Sequence, residues 1–158
     1  MKYLKRFNER LGTPKIDNIT TNRDKLFIME MVAEEFKHLM SKEDSYLYLK
    51  EVVDWDLSVK LTLDDKIIGC YLLAERSINE YTNDFIGQKG IEGVALVLDK
   101  NYRNLGYGKL LIEYSESLPY HYIWGQHLKG IGNLEHWKKR RPFVYDAGGY
   151  WITAKKLN

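Results

Sequence analysis

The chain has 158 residues, which suits one domain with a buried hydrophobic core. Its hydrophobic fraction of 44% and charged fraction of 29% are ordinary for a soluble globular protein, and a formal net charge of +2 is too small to indicate a nucleic-acid or membrane partner. The single cysteine, Cys70, excludes an internal disulfide and a cysteine-based metal site, which suits a reducing compartment.

The first 14 residues form a basic segment that we expect to be a partly ordered arm. This segment lacks the apolar run of a signal peptide, and no part of the chain approaches the roughly 18 apolar residues of a membrane span. We therefore expect a cytoplasmic protein that does not bind a membrane. A short strand is predicted next, around Lys15–Thr20.

Two helices are predicted after this strand. Asp24 can cap the first of them. The apolar face of the first helix consists of Met29, Val32, Phe36 and Met40, at helical spacing. Ser41 with Asp44 resembles a capping box that opens the second helix. The residues that pack this second helix are Tyr46, Leu49 and Val53.

The apolar period then changes to that of β-strands. Apolar and polar residues alternate over Leu57–Leu63, and Asp64-Asp65 can turn the chain into a partner strand, Lys66–Ala74. The polar stretch Ser77–Lys89 is interpreted as a long loop or a ragged strand extension. The run Ile91–Leu98 is apolar on both faces except for one acid and one glycine, which predicts a central strand covered on both sides.

One more helix, a strand, a helix and two strands are predicted in the last third. Leu110, Leu111, Tyr114 and Leu118 give the third helix its apolar stripe, and Pro119 ends it. Tyr120–Trp124 is a strand parallel to the central one, because a helix crosses between them. Asn133 can cap a short helix that runs to about Arg140. Phe143–Tyr145 and Tyr150–Ala154 then close a mixed α/β sheet around a Gly148-Gly149 turn.

A glycine-containing bend follows the central strand, in the segment Arg103-Asn104-Leu105-Gly106-Tyr107-Gly108. Glycine has no Cβ, so the backbone can turn tightly there and approach a ligand closely. The first amides of the following helix have no intrahelical acceptor, and the helix dipole adds partial positive charge. The bend therefore predicts a site for phosphate or pyrophosphate.

With this order of elements and this bend, residues 15 to 155 resemble the GNAT superfamily of N-acetyltransferases. The acetyl-CoA signature of that superfamily is matched in full by Arg103, Gly106 and Gly108. The resemblance implies one domain over residues 1–158. It also implies a mixed, mostly antiparallel twisted sheet, flanked by about four helices, whose central parallel strands splay apart to hold acetyl-CoA.

The resemblance also implies which residues contact acetyl-CoA. The amides of the bend would bind the pyrophosphate, and the end of the central strand would pair with the pantetheine arm as an added strand. The Leu96 amide would then point at the thioester carbonyl. The implied contacts are Leu96, Val97, Leu98, Arg103, Asn104, Leu105, Gly106, Tyr107, Gly108, Lys109 and Asn133. No metal is expected.

Glu92 is the candidate general base, because it is the only acid in the central strand. A free lysine amine has a pKa near 10.4, so an acceptor amine must lose a proton before it attacks a thioester. A carboxylate in apolar surroundings has a raised pKa and becomes a better base near pH 7. Glu92 also falls where histone-acetylating members of the superfamily have their glutamate. The alternative is a solvated or lysine-paired glutamate.

The general acid is left open at this point. Many GNAT enzymes have a tyrosine late in the last helix, but the corresponding segment from Asn133 to Arg140 has none. Tyr145 and His136 are the nearest substitutes. Equally, the thiolate can leave without a protein acid and take a proton from water. Cys70 lies within a strand without an evident paired histidine, which argues against a nucleophilic role.

The acceptor is predicted only as a primary amine on a small molecule or a protein. Acidic residues crowd the first two helices and slightly favour a cationic acceptor: Glu34, Glu35, Glu43, Asp44, Glu51, Asp54 and Asp56. The basic run Lys138–Arg141 is either a solvated helix end or a contact to a phosphate of CoA or to an acidic substrate, including nucleic acid. Two alternatives to the acetyltransferase stay open: an enzyme of this fold that modifies nucleic acid, and a non-catalytic acyl-CoA-binding module. The protein is expected to be a monomer or a homodimer.

Overall fold

The computed structural model describes residues 12–130 and 134–157, and the elements below are those of this part of the chain. The strands are β1 (Lys15–Asn18), β2 (Val59–Leu63), β3 (Lys66–Glu75), β4 (Gly90–Leu98), β5 (Tyr122–Leu128), β6 (Phe143–Asp146) and β7 (Tyr150–Lys156). The helices are α1 (Asn22–Glu35), α2 (Lys42–Val52), α3 (Tyr107–Glu116) and α4 (Leu134–Arg140). The predicted order of elements is confirmed. In these residues, none of the helices has the length and apolar character needed to cross a membrane.

The strands form one mixed sheet in the order β1-β2-β3-β4-β5-β7-β6. Among the described strands, only β4 and β5 pair in parallel, from Gly90 opposite Tyr122 to Gly93 opposite Gly125. Beyond that point β4 continues to pair with β3, and β5 continues to pair with β7, but the two strands no longer pair with each other. We call this opening the fork. It confirms the predicted splayed pair.

A β-bulge at Val94 marks the start of the fork. Leu72 of β3 lies opposite Ala95 while Leu73 lies opposite Gly93, so Val94 is one extra residue on the β4 side. A bulge of this kind disrupts the ladder locally and shifts the side-chain alternation by one position. As a result, the side chains of Val94 and Ala95 both pack on the face that α1 and α2 cover.

The two faces of the sheet have separate cores. On one face, Ile28 and Val32 of α1 and Leu49 of α2 pack against β3 and β4. On the other face, Tyr107 and Leu111 of α3 pack against the opposite side chains of the central strands. The 77–89 segment is a loop, as predicted, but its Ile78 and Phe85 are fully buried against β5 and β7.

The first two helices begin and end partly as predicted. Ser41 is the N-cap of α2, and its Oγ accepts from the Asp44 amide at 3.1 Å. The prediction that Asp24 caps α1 is wrong. Thr21 takes that place and its hydroxyl accepts from the Asp24 amide, while the Asp24 carboxylate binds Lys60 at 2.6 Å. The helix also ends at Glu35, earlier than the apolar stripe suggested, so Met40 lies beyond it.

Candidate functional site

The bend between β4 and α3 has the geometry of an anion-binding helix start. Gly106 is the N-cap of α3 with φ of 86°, in the left-handed region that disfavours any residue with a Cβ. Asn104 shares that region, with φ of 62°. The N-cap makes no side-chain hydrogen bond to α3, and the partial positive charge at the start of a helix favours an anion there. Lys109 in the first turn adds a cation to this end of the helix.

Arg103 links the bend to the end of β4 and to the end of α1. Its guanidinium donates to the Leu98 carbonyl at the end of β4, at 3.0 Å from Nη2, and pairs with Glu35 at the end of α1, at 2.8 Å. The signature arginine therefore positions the loop between the last residue of β4 and the α1–α2 side of the fork. Leu105 packs below the bend against the α3 core.

A groove of about 290 Å³ runs through the fork, and we call it the fork groove. Its lining consists of residues 93–96 of β4, residues 126–128 of β5, and Glu35, Phe36, His38, Leu39, Tyr71, Trp137 and Arg141. The unpaired stretches of both strands therefore face it. Backbone groups in such a position can pair with an extended ligand in the way that an added strand does.

Two glycines create room at the closed end of the fork. A Cβ on Gly93 would collide with the Tyr71 hydroxyl, and a Cβ on Gly125 would lie 2.7 Å from Nη1 of Arg141. Gly93 and Gly125 are also the last residue pair of the parallel ladder. Each strand therefore has a glycine, which lacks a side chain, at the position where Tyr71 and Arg141 reach the fork.

Arg141 is a buried cation without an anionic partner among the described residues. It is 3% exposed, and its guanidinium donates to the hydroxyls of Tyr71 at 3.0 Å and Thr153 at 3.3 Å. It also lies 4.2 Å from the centre of the Trp137 ring. Neutral partners offset only part of the cost of burying a charge. The fork groove is therefore electropositive at its inner end.

The neighbouring His127 has a lowered pKa. Burial, followed by the charge of Arg141, lowers the pKa of His127 to about 4. Its Nε2 lies 2.7 Å from the Thr153 hydroxyl, and its ring lies 5.6 Å from that of Trp137. His127 is therefore neutral at pH 7, and Arg141 is the cation of the groove.

A second cavity, of about 390 Å³, adjoins the fork groove, and we call it the Glu92 cavity. Its lining includes Val32, Phe36, Leu39, Met40, Tyr48, Leu49, Glu92, Gln126, Leu128 and Tyr150. It shares Phe36, Leu39, residues 93–95, Gln126 and Leu128 with the fork groove. The two cavities therefore meet where β4 and β5 part.

Glu92 holds a buried carboxylate at this meeting point. It is 2% exposed, and its two oxygens accept from Arg76 and from Gln126, each at 3.2 Å. Burial raises the pKa of Glu92, while Arg76 and Gln126 act in the opposite direction. The expected alternatives, a solvated or lysine-paired glutamate, do not describe it, because its partner is an arginine that also binds Glu80.

Two tyrosines complete the polar part of the Glu92 cavity. Burial, and then the charge of Glu92, raises the pKa of Tyr48, so its hydroxyl stays protonated. The Tyr150 hydroxyl lies 3.1 Å from that of Tyr81. The site can therefore receive a protonated amine beside one carboxylate, remove a proton from it, and present it to a ligand in the fork groove.

Known structures with the same fold were found, although no protein-family model and no curated protein matches the sequence. A Pyrococcus horikoshii protein superposes with a TM-score of 0.72 at 15% identity, covering 92% of this chain and 99% of that one. A GNAT-family acetyltransferase from Listeria monocytogenes superposes with a TM-score of 0.67 at 14% identity, covering 91% of this chain and 95% of that one. The PaiA N-acetyltransferase of Thermoplasma acidophilum, in complex with coenzyme A, superposes with a TM-score of 0.63 at 13% identity, covering 92% of this chain and 100% of that one. The chain has the GNAT fold.

Within this GNAT fold, the predicted catalytic residues lie apart from one another. Glu92 lies at the fork, but the Tyr145 hydroxyl donates to Asp84 at 2.6 Å, and Tyr145 does not line either cavity. His136 is exposed on α4 and contacts Trp137. Cys70 is fully buried, and burial raises the pKa of its thiol to about 12. Asn133 lies outside the described residues.

The predicted ligand-binding residues are grouped more closely. Leu96 lines the fork groove, whereas Val97 points into the α1–α2 core and Leu98 anchors Arg103 through its carbonyl. The bend from Arg103 to Lys109 follows directly.

Sequence reasoning missed six residues that the GNAT fold brings to the fork: Tyr48, Tyr71, Arg76, Gln126, Arg141 and Tyr150. They come from separate elements, so no local pattern joins them. A signal existed only for Gly93 and Gly125, since glycine within a strand indicates a close approach by another group.

Proposed function

We propose that the protein is an acetyl-CoA-dependent N-acetyltransferase, in which a primary amine attacks the thioester directly and Glu92 is the general base. The observation that supports this most is the buried Glu92 carboxylate, which lies where the acceptor-sized cavity meets the fork groove. A base must lie within hydrogen-bonding reach of the proton that it removes. An amine in the Glu92 cavity meets that condition and faces the fork at the same time.

The donor side of the proposal rests on the bend and the unpaired edge of β4. The opening amides of α3 would bind the pyrophosphate, and residues 96–98 would pair with the pantetheine arm. The coenzyme A complex of the Thermoplasma acidophilum acetyltransferase of the same fold supports this choice of donor. The contacts proposed in this way are Leu96, Val97, Leu98, Arg103, Asn104, Leu105, Gly106, Tyr107, Gly108 and Lys109.

The proposed transfer is balanced in protons and bonds. The acceptor ammonium gives one proton to Glu92, and the neutral nitrogen forms a bond to the acetyl carbon. The Leu96 amide stabilises the negative charge that develops on the carbonyl oxygen, because a fixed donor is most effective where charge appears. The C–S bond then breaks, the product nitrogen gives up its second proton to leave a neutral amide, and coenzyme A departs as a thiolate that takes up that proton.

The Tyr71–Arg141 pair is the proposed partner of the departing thiolate. The Tyr71 hydroxyl accepts from Arg141, so its own hydrogen can be donated into the fork groove. The guanidinium supplies positive charge in a site from which water is largely excluded, where charge interactions are strong. This pair replaces Tyr145 and His136 in the leaving-group role, since neither of these lines the groove.

The nucleic-acid alternative has less support than the sequence suggested. The basic run on which it depended is divided in three dimensions, because Arg140 lies 3.8 Å from Glu116 and Arg141 is buried. Only Lys138 and Lys139 are exposed.

The test has a binding part and a chemical part. Titration calorimetry should detect uptake of acetyl-CoA and of coenzyme A by the purified protein. Incubation with acetyl-CoA and a broad set of amines should release coenzyme A, and mass spectrometry should detect a product heavier by one acetyl group. The proposal fails if neither acetyl-CoA nor coenzyme A binds, or if every amine leaves the rate of coenzyme A release unchanged.

A further inference from the structure

We infer that the acceptor is a free, small primary amine with one cationic nitrogen and a bulky apolar body. This inference rests on the proposed function and names the class of molecule that fits the Glu92 cavity. A cavity of about 390 Å³ is within the range that holds small-molecule ligands.

The walls of the Glu92 cavity are mainly hydrocarbon. Val32 and Leu49 form the inner wall, and Phe36, Met40 and Leu128 lie toward the opening. Met40 and Leu128 remain 37% and 43% exposed, although large apolar side chains are usually covered. An apolar ligand body would remove this surface from water, which favours binding by roughly 25 cal/mol for each Å².

The charge of the cavity suits one cation and no more. Among the described residues that line it, Glu92 is the only acid, and none is a lysine, arginine or histidine. An amine with a second ammonium group would have to place that charge against hydrocarbon, which is costly without a partner. An amine with one nitrogen avoids this cost.

The acidic residues of α1 and α2 do not change this conclusion. None of the seven acids that favoured a cationic acceptor lines the Glu92 cavity. Glu34 pairs with Lys37 at 2.5 Å, Glu35 pairs with Arg103, and a carboxylate oxygen of Asp54 accepts from the Glu75 amide at 2.6 Å. The acidity of these helices therefore belongs to their outer surface and to the bend.

The polar groups of the cavity suit a free amine better than the first residue of a peptide. A peptide continues from its amine into amide groups that need hydrogen-bond partners when they are buried. Gln126 and Tyr150 already have partners, in Glu92 and Tyr81. Ser45 and Tyr48 are the remaining uncharged polar side chains that line the cavity. Two hydroxyls are few for a peptide backbone.

A matched pair of amines tests the inference. Hexylamine and 1,6-diaminohexane have the same carbon chain and differ by one amino group. We expect kcat/KM for hexylamine to be at least about tenfold higher, because a tenfold preference corresponds to only about 1.4 kcal/mol. 2-Phenylethylamine should behave like hexylamine. A hexapeptide that begins with phenylalanine should be a poorer substrate than 2-phenylethylamine.

Variants at the opening test whether the cavity sets this preference. Met40→Glu and Leu128→Glu each add one acid to the wall, so both should reduce or reverse the preference for hexylamine. Two separate positions are used in case one variant does not fold. The matched control is Leu47→Glu, since Leu47 is 66% exposed on α2 and does not line the cavity. The control should keep the wild-type ratio.

The outcomes separate this inference from the proposed function. If acetyl-CoA does not bind, or no amine releases coenzyme A, the proposed function fails and the inference fails with it. If coenzyme A is released but the diamine or the peptide is used as well as the matched monoamine, the inference alone is overturned. A ratio that stays the same in both opening variants also overturns it.

Discussion

The two cavities that meet at the fork are built from the same pair of strands and differ in charge. The Glu92 cavity contains one buried anion within hydrocarbon walls, whereas the fork groove contains one buried cation next to hydroxyls and an indole ring. Glu92 has an ionic partner in Arg76, and Arg141 has only neutral partners among the described residues. In the proposed function, the anion removes a proton from the acceptor and the cation meets the departing thiolate.

Removing the anion should produce the largest effect. Glu92→Gln keeps the shape of the side chain but cannot accept a proton, so turnover should fall by roughly 10²- to 10⁴-fold, the range expected for a positioned base. The affinity for acetyl-CoA, measured by calorimetry, should change little. Glu80→Gln is the matched control, because Glu80 is the exposed second partner of Arg76. Equal turnover in Glu92→Gln and wild type would remove Glu92 from the role.

Removing the cation should produce the next largest effect. Arg141→Met retains most of the packing but removes the charge, and a hydrogen bond to a charged group contributes about 1.5 to 3 kcal/mol. Turnover should therefore fall by roughly ten- to a hundredfold. Wild type should also bind coenzyme A more tightly as the pH rises and its thiol ionises, and the variant should lose that dependence.

Arg140→Met provides the control for this experiment, because Arg140 is the adjacent arginine and faces Glu116 rather than the groove. A purely structural Arg141 would change stability in a thermal unfolding experiment and leave the pH dependence of coenzyme A binding intact.

A smaller effect is expected from a glycine substitution in the bend, and a second glycine elsewhere separates the effect of backbone strain from the effect on ligand binding. Gly106→Ala places a Cβ at φ of 86°, which costs about 1 to 2 kcal/mol of stability. Gly148→Ala imposes the same strain at φ of 90° in the β6–β7 turn, far along the chain from the bend. Both variants should lose similar stability in chemical denaturation. Only Gly106→Ala should also weaken coenzyme A binding, by about three- to tenfold, since only that strain distorts the opening amides of α3.

The smallest effect concerns His127, which stays neutral in the fork groove beside Arg141. The pKa of His127 is lowered from 6.5 to about 4 in the folded protein, so the unfolded chain binds that proton more readily. Its contribution to stability is complete above pH 6.5 and is lost as the pH falls toward 4. His127→Gln should remove this pH-dependent loss of stability, measured by urea denaturation across this range. Identical pH profiles for variant and wild type would contradict the assignment.

The features that were predicted correctly from the sequence are those whose determining residues lie within one short segment. The order of elements, the parallel strand pair and the Arg103–Gly108 bend follow from apolar periodicity and glycine spacing over short distances. Helix ends were less accurate, because Thr21 competes with Asp24 for the same cap and packing decides between them. Arg141 was interpreted within a solvated basic run, because its burial depends on Tyr71 and Thr153, which are distant in sequence.

The extra residue at Val94 makes β4 intolerant of changes in length. Deleting one residue between Gly93 and Leu96 would restore the regular alternation and rotate every later side chain of the strand to the opposite face. Val97 would then meet α3, and Leu98 would meet α1 and α2. The strand can therefore vary by substitution, whereas a single insertion or deletion would exchange which of its later side chains face α3 and which face α1 and α2, and would displace the bend that follows.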